Sequence, residues 1–198
     1  MSACAECKKR IGSTCCEIAK GQTPTFGVTL PEIGRIIQVA NKTASSCFAV
    51  DHLTPEEYLY YAGKSDVFSQ VFAGRRRFRL KVVPSEDPAL SQCVFLQKSG
   101  CSLPLPVRPH SCRMYPFWFE RRLAKGDDSD PVYLTITNNL FPGVCYGKML
   151  SKSDGNVMMN VFDTNKDELL KVAKAMLRDA HAHAKLVKAS VVTDALGL

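Results

Sequence analysis

No stretch of this chain approaches the ~18 continuous apolar residues that would span a bilayer, and the opening MSACAECKKR has no apolar run behind its charges. A soluble cytoplasmic protein with no membrane partner is therefore expected. Internal repeats and low-complexity tracts are absent, which excludes solenoid and fibrous architectures. A phosphate-cradling glycine loop, a His-Glu-x-x-His zinc motif, a Ser-His-Asp order and a recognisable S-adenosylmethionine site are missing as well. No reaction can be named from those motifs.

Cysteine, by contrast, is plentiful: nine among 198 residues. In the cytoplasm thiols stay reduced, so these read as metal ligands or reactive groups and not as a disulfide frame, and an odd number also pairs badly. The length fits one domain, of which roughly 70 % of the unfolded surface can be buried, so metal is not needed merely to compensate for small size. Net charge is +7. A four-thiolate zinc site or an oxidised four-iron cluster carries about −2, so part of that excess is explained as internal compensation.

Residues 1–20 hold Cys4, Cys7, Cys15 and Cys16 with few large apolar side chains, as expected of a metal-ordered segment. Cys4 and Cys7 are three apart, a spacing that brings Cβ atoms within ~5–6 Å in a helical turn and lets both sulfurs reach one centre at ~2.3 Å. Cys15 and Cys16 are adjacent. Neighbouring side chains diverge by roughly 100° on a helix and 180° on a strand, so this pair is expected to bridge two centres or to supply one ligand. Further cysteines stand in Cys93-Val94-Phe95-Leu96, Cys101-Ser102-Leu103, Arg108-Pro109-His110-Ser111-Cys112-Arg113-Met114-Tyr115-Pro116-Phe117, and Phe141-Pro142-Gly143-Val144-Cys145.

Together these segments resemble the zinc- or iron-chelating cysteine-cluster (CxxC…CC) family, which includes flagellin lysine N-methylase-like proteins. The shared pattern is an early Cys-x2-Cys, a Cys-Cys pair, a later Cys-x-Phe-Leu, a further cysteine and Arg-Pro-x-x-Cys-Arg-x-Tyr/Phe-Pro-Phe, in that order over roughly residues 4–147. Cys145 departs from it by following Pro142-Gly143 at a distance of two residues instead of preceding Pro-Gly directly. The resemblance implies Cys4, Cys7, Cys15, Cys16, Cys93, Cys101, Cys112 and Cys145 as metal ligands. The cofactor would be zinc or iron, the latter including a 4Fe-4S cluster. Arg108 and Arg113 flank Cys112 and are candidates to hold such a cofactor by donating to anionic sulfur, or else are ordinary surface arginines. The function expected is metal binding, with an iron-sulfur-dependent enzyme (protein-lysine methylation or a redox step, with a protein substrate) or a zinc-stabilised interaction module as alternatives.

Cys47 lies outside every one of these elements and is expected as a buried small apolar residue. His110 occupies a variable position of the pattern and is expected at a solvent-facing turn. His181 and His183 sit some 200° apart on a helix and are expected on the surface. The basic run Arg75, Arg76, Arg77, Arg79 and Lys81 reads as the solvated face of a strand, so nucleic acid is not expected as a partner.

The fold class expected is α+β in a single domain. A cysteine-cluster domain would cover 1–150, with a helical extension over 151–198 packed on the same core. Helices are predicted from Leu30 (Pro31, Glu32, then Ile33, Ile36, Ile37 and Ala40), from Thr54 to Gly63 with Tyr58, Leu59, Tyr61 and Ala62 inward, and from about Lys166 to about Ala189. The last carries a stripe of Leu169, Val172, Ala173, Met176, Ala180 and Val187. Strands are predicted at 77–83, at Val94-Phe95-Leu96, and as a hairpin of 117–119 with 132–137 about the turn cluster Gly126–Pro131, giving one antiparallel sheet of three or four strands.

Overall fold

Local signals start and stop the helices. In α1 (Leu30–Ala40) Thr29 and Glu32 form a capping box, Pro31 occupies the first turn, and Asn41 closes the end in the left-handed region at φ 50°. A single turn, α2 (Ala44–Cys47), follows and leads into strand β2 (Phe48–His52). Thr54 and Glu57 form the capping box of α3 (Pro55–Ala62), which is followed by α4 (Asp66–Val71). Strands β3 (Arg76–Leu80), β4 (Val82–Pro84), β5 (Leu90–Cys93), β6 (Leu96–Gln97) and β7 (Gly100–Cys101) come next, after the short strand β1 (Glu17–Ala19) near the start of the chain. The short helix α5 (His110–Met114), strands β8 (Trp118–Arg122) and β9 (Tyr133–Thr137), and the 23-residue helix α6 (Lys166–Lys188) complete the order. This computed structural model describes residues 14–24, 27–63, 66–122, 133–137, 159–160 and 162–189.

The architecture is α+β in one domain, with helices packed on small antiparallel sheets. In place of one sheet of three or four strands, the described residues form four: β1-β5-β4, and the pairs β2-β3, β6-β7 and β8-β9. The expected strand through Val94-Phe95-Leu96 is broken, because the chain turns after Cys93 so that Phe95 can be buried, at 2 % exposure. Lys98 and Ser99 form a tight connection, and Gly100 at φ 111° lets the backbone return so that Cys101 pairs with Leu96.

Two apolar clusters support these sheets. The first packs Phe72, Met114, Phe117 and Trp118 against Leu169, Val172, Ala173, Met176 and Ala180 of α6, with Phe68 stacked between Phe72 and Trp118 at ring-centroid distances of 5.7 and 5.6 Å. The second joins Ile33 and Ile36 of α1 to Phe48, Phe78, Phe95 and Leu103, and Cys47 is buried in it as expected. α6 contacts α1, α4 and α5, and Val187 near its end reaches the second cluster.

β3 alternates as predicted. Phe78 is fully buried, while Arg77 and Arg79 on the other face both reach Asp51 of β2 at 2.8 Å. Partial burial alone would raise the Asp51 pKa, but hydrogen bonds from Arg79 and Arg77 outweigh it and hold the group below the usual carboxylate range. The basic strand therefore has an internal counter-charge.

α3 corrects the sequence reading in one respect. Leu59 is 68 % exposed, because the side turned to the core carries Tyr58 and Tyr61 and Leu59 stands about 100° away from Tyr58. His183 is a second correction, being fully buried and not on the surface. It continues the stripe of α6 at the 180, 183, 187 spacing, its ring meets Phe78 edge-on, and its Nδ1 accepts the Leu30 N–H at 3.1 Å. That acceptor role leaves the proton on Nε2, which has no partner at hydrogen-bonding distance; the Val71 carbonyl only partly offsets the burial that drives the His183 pKa down to about 4.

A pH dependence follows from His183. Above an ordinary imidazole pKa of about 6.5 both folded and unfolded chains carry the neutral ring. Between about 6.5 and 4 only the unfolded chain takes up the proton, so stability falls with pH, and below about 4 the loss is complete at about 3 kcal/mol. Denaturant unfolding at a series of pH values should show this slope in the natural chain and its absence in His183→Gln; parallel slopes would contradict it.

Candidate thiol centre

Thr14 and Glu17 close a tight turn. The Thr14 N–H donates to Glu17 Oε2 at 2.9 Å, and the Glu17 N–H returns to the Thr14 carbonyl at 3.0 Å. Cys15 and Cys16 occupy its middle. In this turn, unlike a helix or strand, adjacent side chains face a common space, and both cysteines line one cavity.

Beyond the turn β1 pairs with β5 in antiparallel register, Glu17 opposite Gln92 and Ala19 opposite Leu90. The pairing is extended by the Cys93 N–H, which donates to the Cys16 carbonyl at 2.7 Å. Cys93 thus stands beside Cys16 although 77 positions separate them in sequence. The β6-β7 hairpin carries Cys101 back toward Cys93, and α5 delivers Cys112 from a fourth segment.

The cavity measures about 210 Å³. Cys15, Cys16, Cys93 and Cys112 supply its sulfur side, with Pro109 and Ser111 next to Cys112, and Ile18, Pro24, Val28, Leu80 and Val82 form an apolar wall. Electrostatic coupling links Cys16, Cys93, Cys101 and Cys112 in every pairwise combination, so Cys101 belongs to the same group. Cys16, Cys93, Cys101 and Cys112 are free thiols.

Their protonation reflects crowding. A hydrogen bond from Cys15, aided by the Arg108 charge and by Thr14, outweighs burial and Glu17 and lowers the Cys16 pKa. Burial pushes Cys93 up to about 12, with Cys16 and Cys101 adding to the rise, and it raises Cys101 as well, where Arg108 works the other way. Cys112 has surface open to the cavity yet is ringed by protein atoms. A cavity wall admits water without the screening of bulk solvent, so burial, followed by the three neighbouring sulfurs and Glu32, raises it well above an ordinary thiol. Anions gathered this closely oppose one another's ionisation, and a divalent cation among them would reverse that balance and hold them as thiolates.

Arg108 and Arg113 separate. Arg108 donates from Nε to the Leu103 carbonyl at 2.9 Å and acts electrostatically on Cys16 and Cys101. Arg113 has Arg35, Glu168 and Glu32 as its charged neighbours, away from the thiols. His110 corrects the expectation of a solvent-facing turn: it is 2 % exposed, its ring Nε2 lies 2.8 Å from Asp179 Oδ2 and 3.2 Å from Arg35 Nη2, and its N–H donates to Glu32 Oε1 at 2.7 Å. Glu32, Asp179 and Ser111 were not singled out by the sequence. Glu32 was visible only as a helix cap, and nothing local signals its second contact.

Cys4, Cys7 and Cys145 lie outside the described residues. Among the described residues no group of three or more His, Cys, Asp or Glu side chains is already disposed to hold a metal ion, and no helix is long and apolar enough to cross a membrane. No family model matches the chain, and no characterised protein or solved structure is similar to it.

Thiol reactivity should follow these shifts. In metal-free protein at neutral pH, brief alkylation read by peptide mass spectrometry should label Cys16 well before Cys93, since the thiolate is the nucleophile and Cys93, at about 12, is almost wholly protonated. The reverse order would contradict the assigned surroundings.

Proposed function

We propose that this chain is a cytoplasmic metal-binding protein of the cysteine-cluster type, holding zinc, iron or an iron-sulfur cluster through Cys15, Cys16, Cys93, Cys101 and Cys112. One observation supports this most: Cys15, Cys16, Cys93 and Cys112, from three separate segments, line one cavity, and Cys101 from a fourth segment acts electrostatically on Cys93 and Cys112. Nine cysteines scattered at random through a reducing-compartment protein would have no reason to converge. Soft sulfur donors suit zinc, iron and their clusters better than they suit oxygen-seeking cations. Cys4 and Cys7 are assigned to the same centre on their spacing, and Cys145 on its place in the pattern.

In this reading Cys16 supplies a readily ionised sulfur, Arg108 offsets negative charge beside Cys16 and Cys101, and apolar residues form the wall facing the sulfurs. A zinc ion would hold the segments together. An iron-sulfur cluster would add electron transfer. A catalytic role, such as the protein-lysine methylation suggested by the resemblance, has no residue assigned to it.

Elemental analysis and an absorption spectrum of the anaerobically purified full chain test the proposal. Bound zinc or iron is expected, with a brown colour from sulfur-to-iron charge transfer if a cluster is present. Cys93→Ser and Cys112→Ser should each lose most of the metal and lower soluble yield, because an incomplete shell forfeits part of the roughly 10–16 kcal/mol apparent for structural zinc. Cys47→Ser should retain full stoichiometry. Natural protein containing neither Fe nor Zn would end this reading.

A further inference from the structure

We propose that Glu32 is a positioning residue for Cys112: its carboxylate fixes the start of α5, and with it the sulfur that α5 carries to the thiol cavity. This rests on the metal-binding reading above. Glu32 lies in the first turn of α1 and is only 3 % exposed. A carboxylate at that depth needs its oxygens satisfied, and here each serves a different element. Oε2 accepts the Thr29 N–H and the Thr29 hydroxyl, both at 2.7 Å, which completes the cap of α1. Oε1 accepts the His110 N–H at 2.7 Å, from 78 residues away. A helix cap accounts for the first oxygen and leaves the second to be explained.

α5 has five residues, too few to hold their own geometry in isolation. Met114 at its end is buried in the first apolar cluster, which sets the depth of the helix but not its rotation about its own axis. Rotation decides where Cys112 points. It is set by the contact from Glu32 to the His110 backbone N–H, and at the ring by Asp179 of α6, which holds His110 Nε2 at 2.8 Å and is itself held by Arg35 Nη1 at 2.8 Å. Hydrogen bonds to a charged acceptor are shorter and stronger than neutral ones, and removing such support behind a metal ligand typically weakens binding about 10–100-fold. Glutamine has a single acceptor oxygen and cannot serve both α1 and α5.

The test is a mutant cycle on the full-length, metal-free chain titrated anaerobically with Co²⁺. Sulfur-to-cobalt charge-transfer intensity reports the number of sulfurs on the ion, and competition with Zn²⁺ gives affinity. Glu32→Gln should weaken binding about 10–100-fold and lower the intensity as Cys112→Ser does. The double variant should be no weaker than Cys112→Ser alone, because Glu32 acts through that sulfur. Glu32→Asp, which keeps both acceptors on a shorter arm, should recover part of the intensity, and it carries the same cycle should Glu32→Gln fail to fold. Natural intensity and affinity in Glu32→Gln, or losses that add in the double variant, would overturn the positioning role while leaving metal binding in place. No cobalt uptake by the unaltered chain would overturn both.

Discussion

The antiparallel pairing of β1 with β5 is the contact on which the thiol centre depends. It joins the cysteine-bearing turn at 14–17 to the middle of the chain, and the hydrogen bond from the Cys93 N–H to the Cys16 carbonyl lies at the end of that ladder next to the sulfurs. Residues 14–19 bring little apolar surface of their own beyond Ile18, so backbone pairing contributes more than hydrophobic burial to holding this stretch in place. A ladder of three residue pairs is a weak anchor by itself. Both apolar clusters, by contrast, are built from residue 28 onward and do not use the first turn.

The surroundings of these thiols set how readily each ionises. Burial raises the pKa values of Cys93, Cys101 and Cys112, and the neighbouring sulfurs, Cys16 among them in each case, add to the rise. Arg108 is placed to compensate part of this at Cys16 and Cys101, and its own position is fixed by the Leu103 carbonyl. Elsewhere basic groups are matched internally, as Arg77 and Arg79 are by Asp51 and Arg35 is by Asp179. The basic face of β3 is therefore not left uncompensated.

The polar contacts around His110 give the small helix α5 an importance beyond its length. Helices α1 and α6 each contribute a carboxylate to the same residue, and Cys112 is two positions further on. The wall of the thiol cavity is in this way coupled to the packing of α1 and α6 on the two apolar clusters.

Much of the secondary structure was legible one segment at a time. Pro31 with Glu32, Thr54 with Glu57, and Asn165 with the Glu168 N–H are signals within four residues, and they set helix starts wherever the rest of the chain goes. The stripe of α6, the alternation of β3 and the pairing of β8 with β9 are likewise consequences of period and turn composition. The set of cysteines and its soft-donor chemistry could also be read directly. Tertiary packing alone decided that Cys16 meets Cys93, that the single expected sheet divides into four, that Leu59 turns outward, and that His110 and His183 are buried. The physical reason is range: a cap or a periodic stripe is settled by neighbours within a turn or two, whereas a partner 77 or 78 positions away is chosen by the free energy of the whole fold, to which no local pattern is bound.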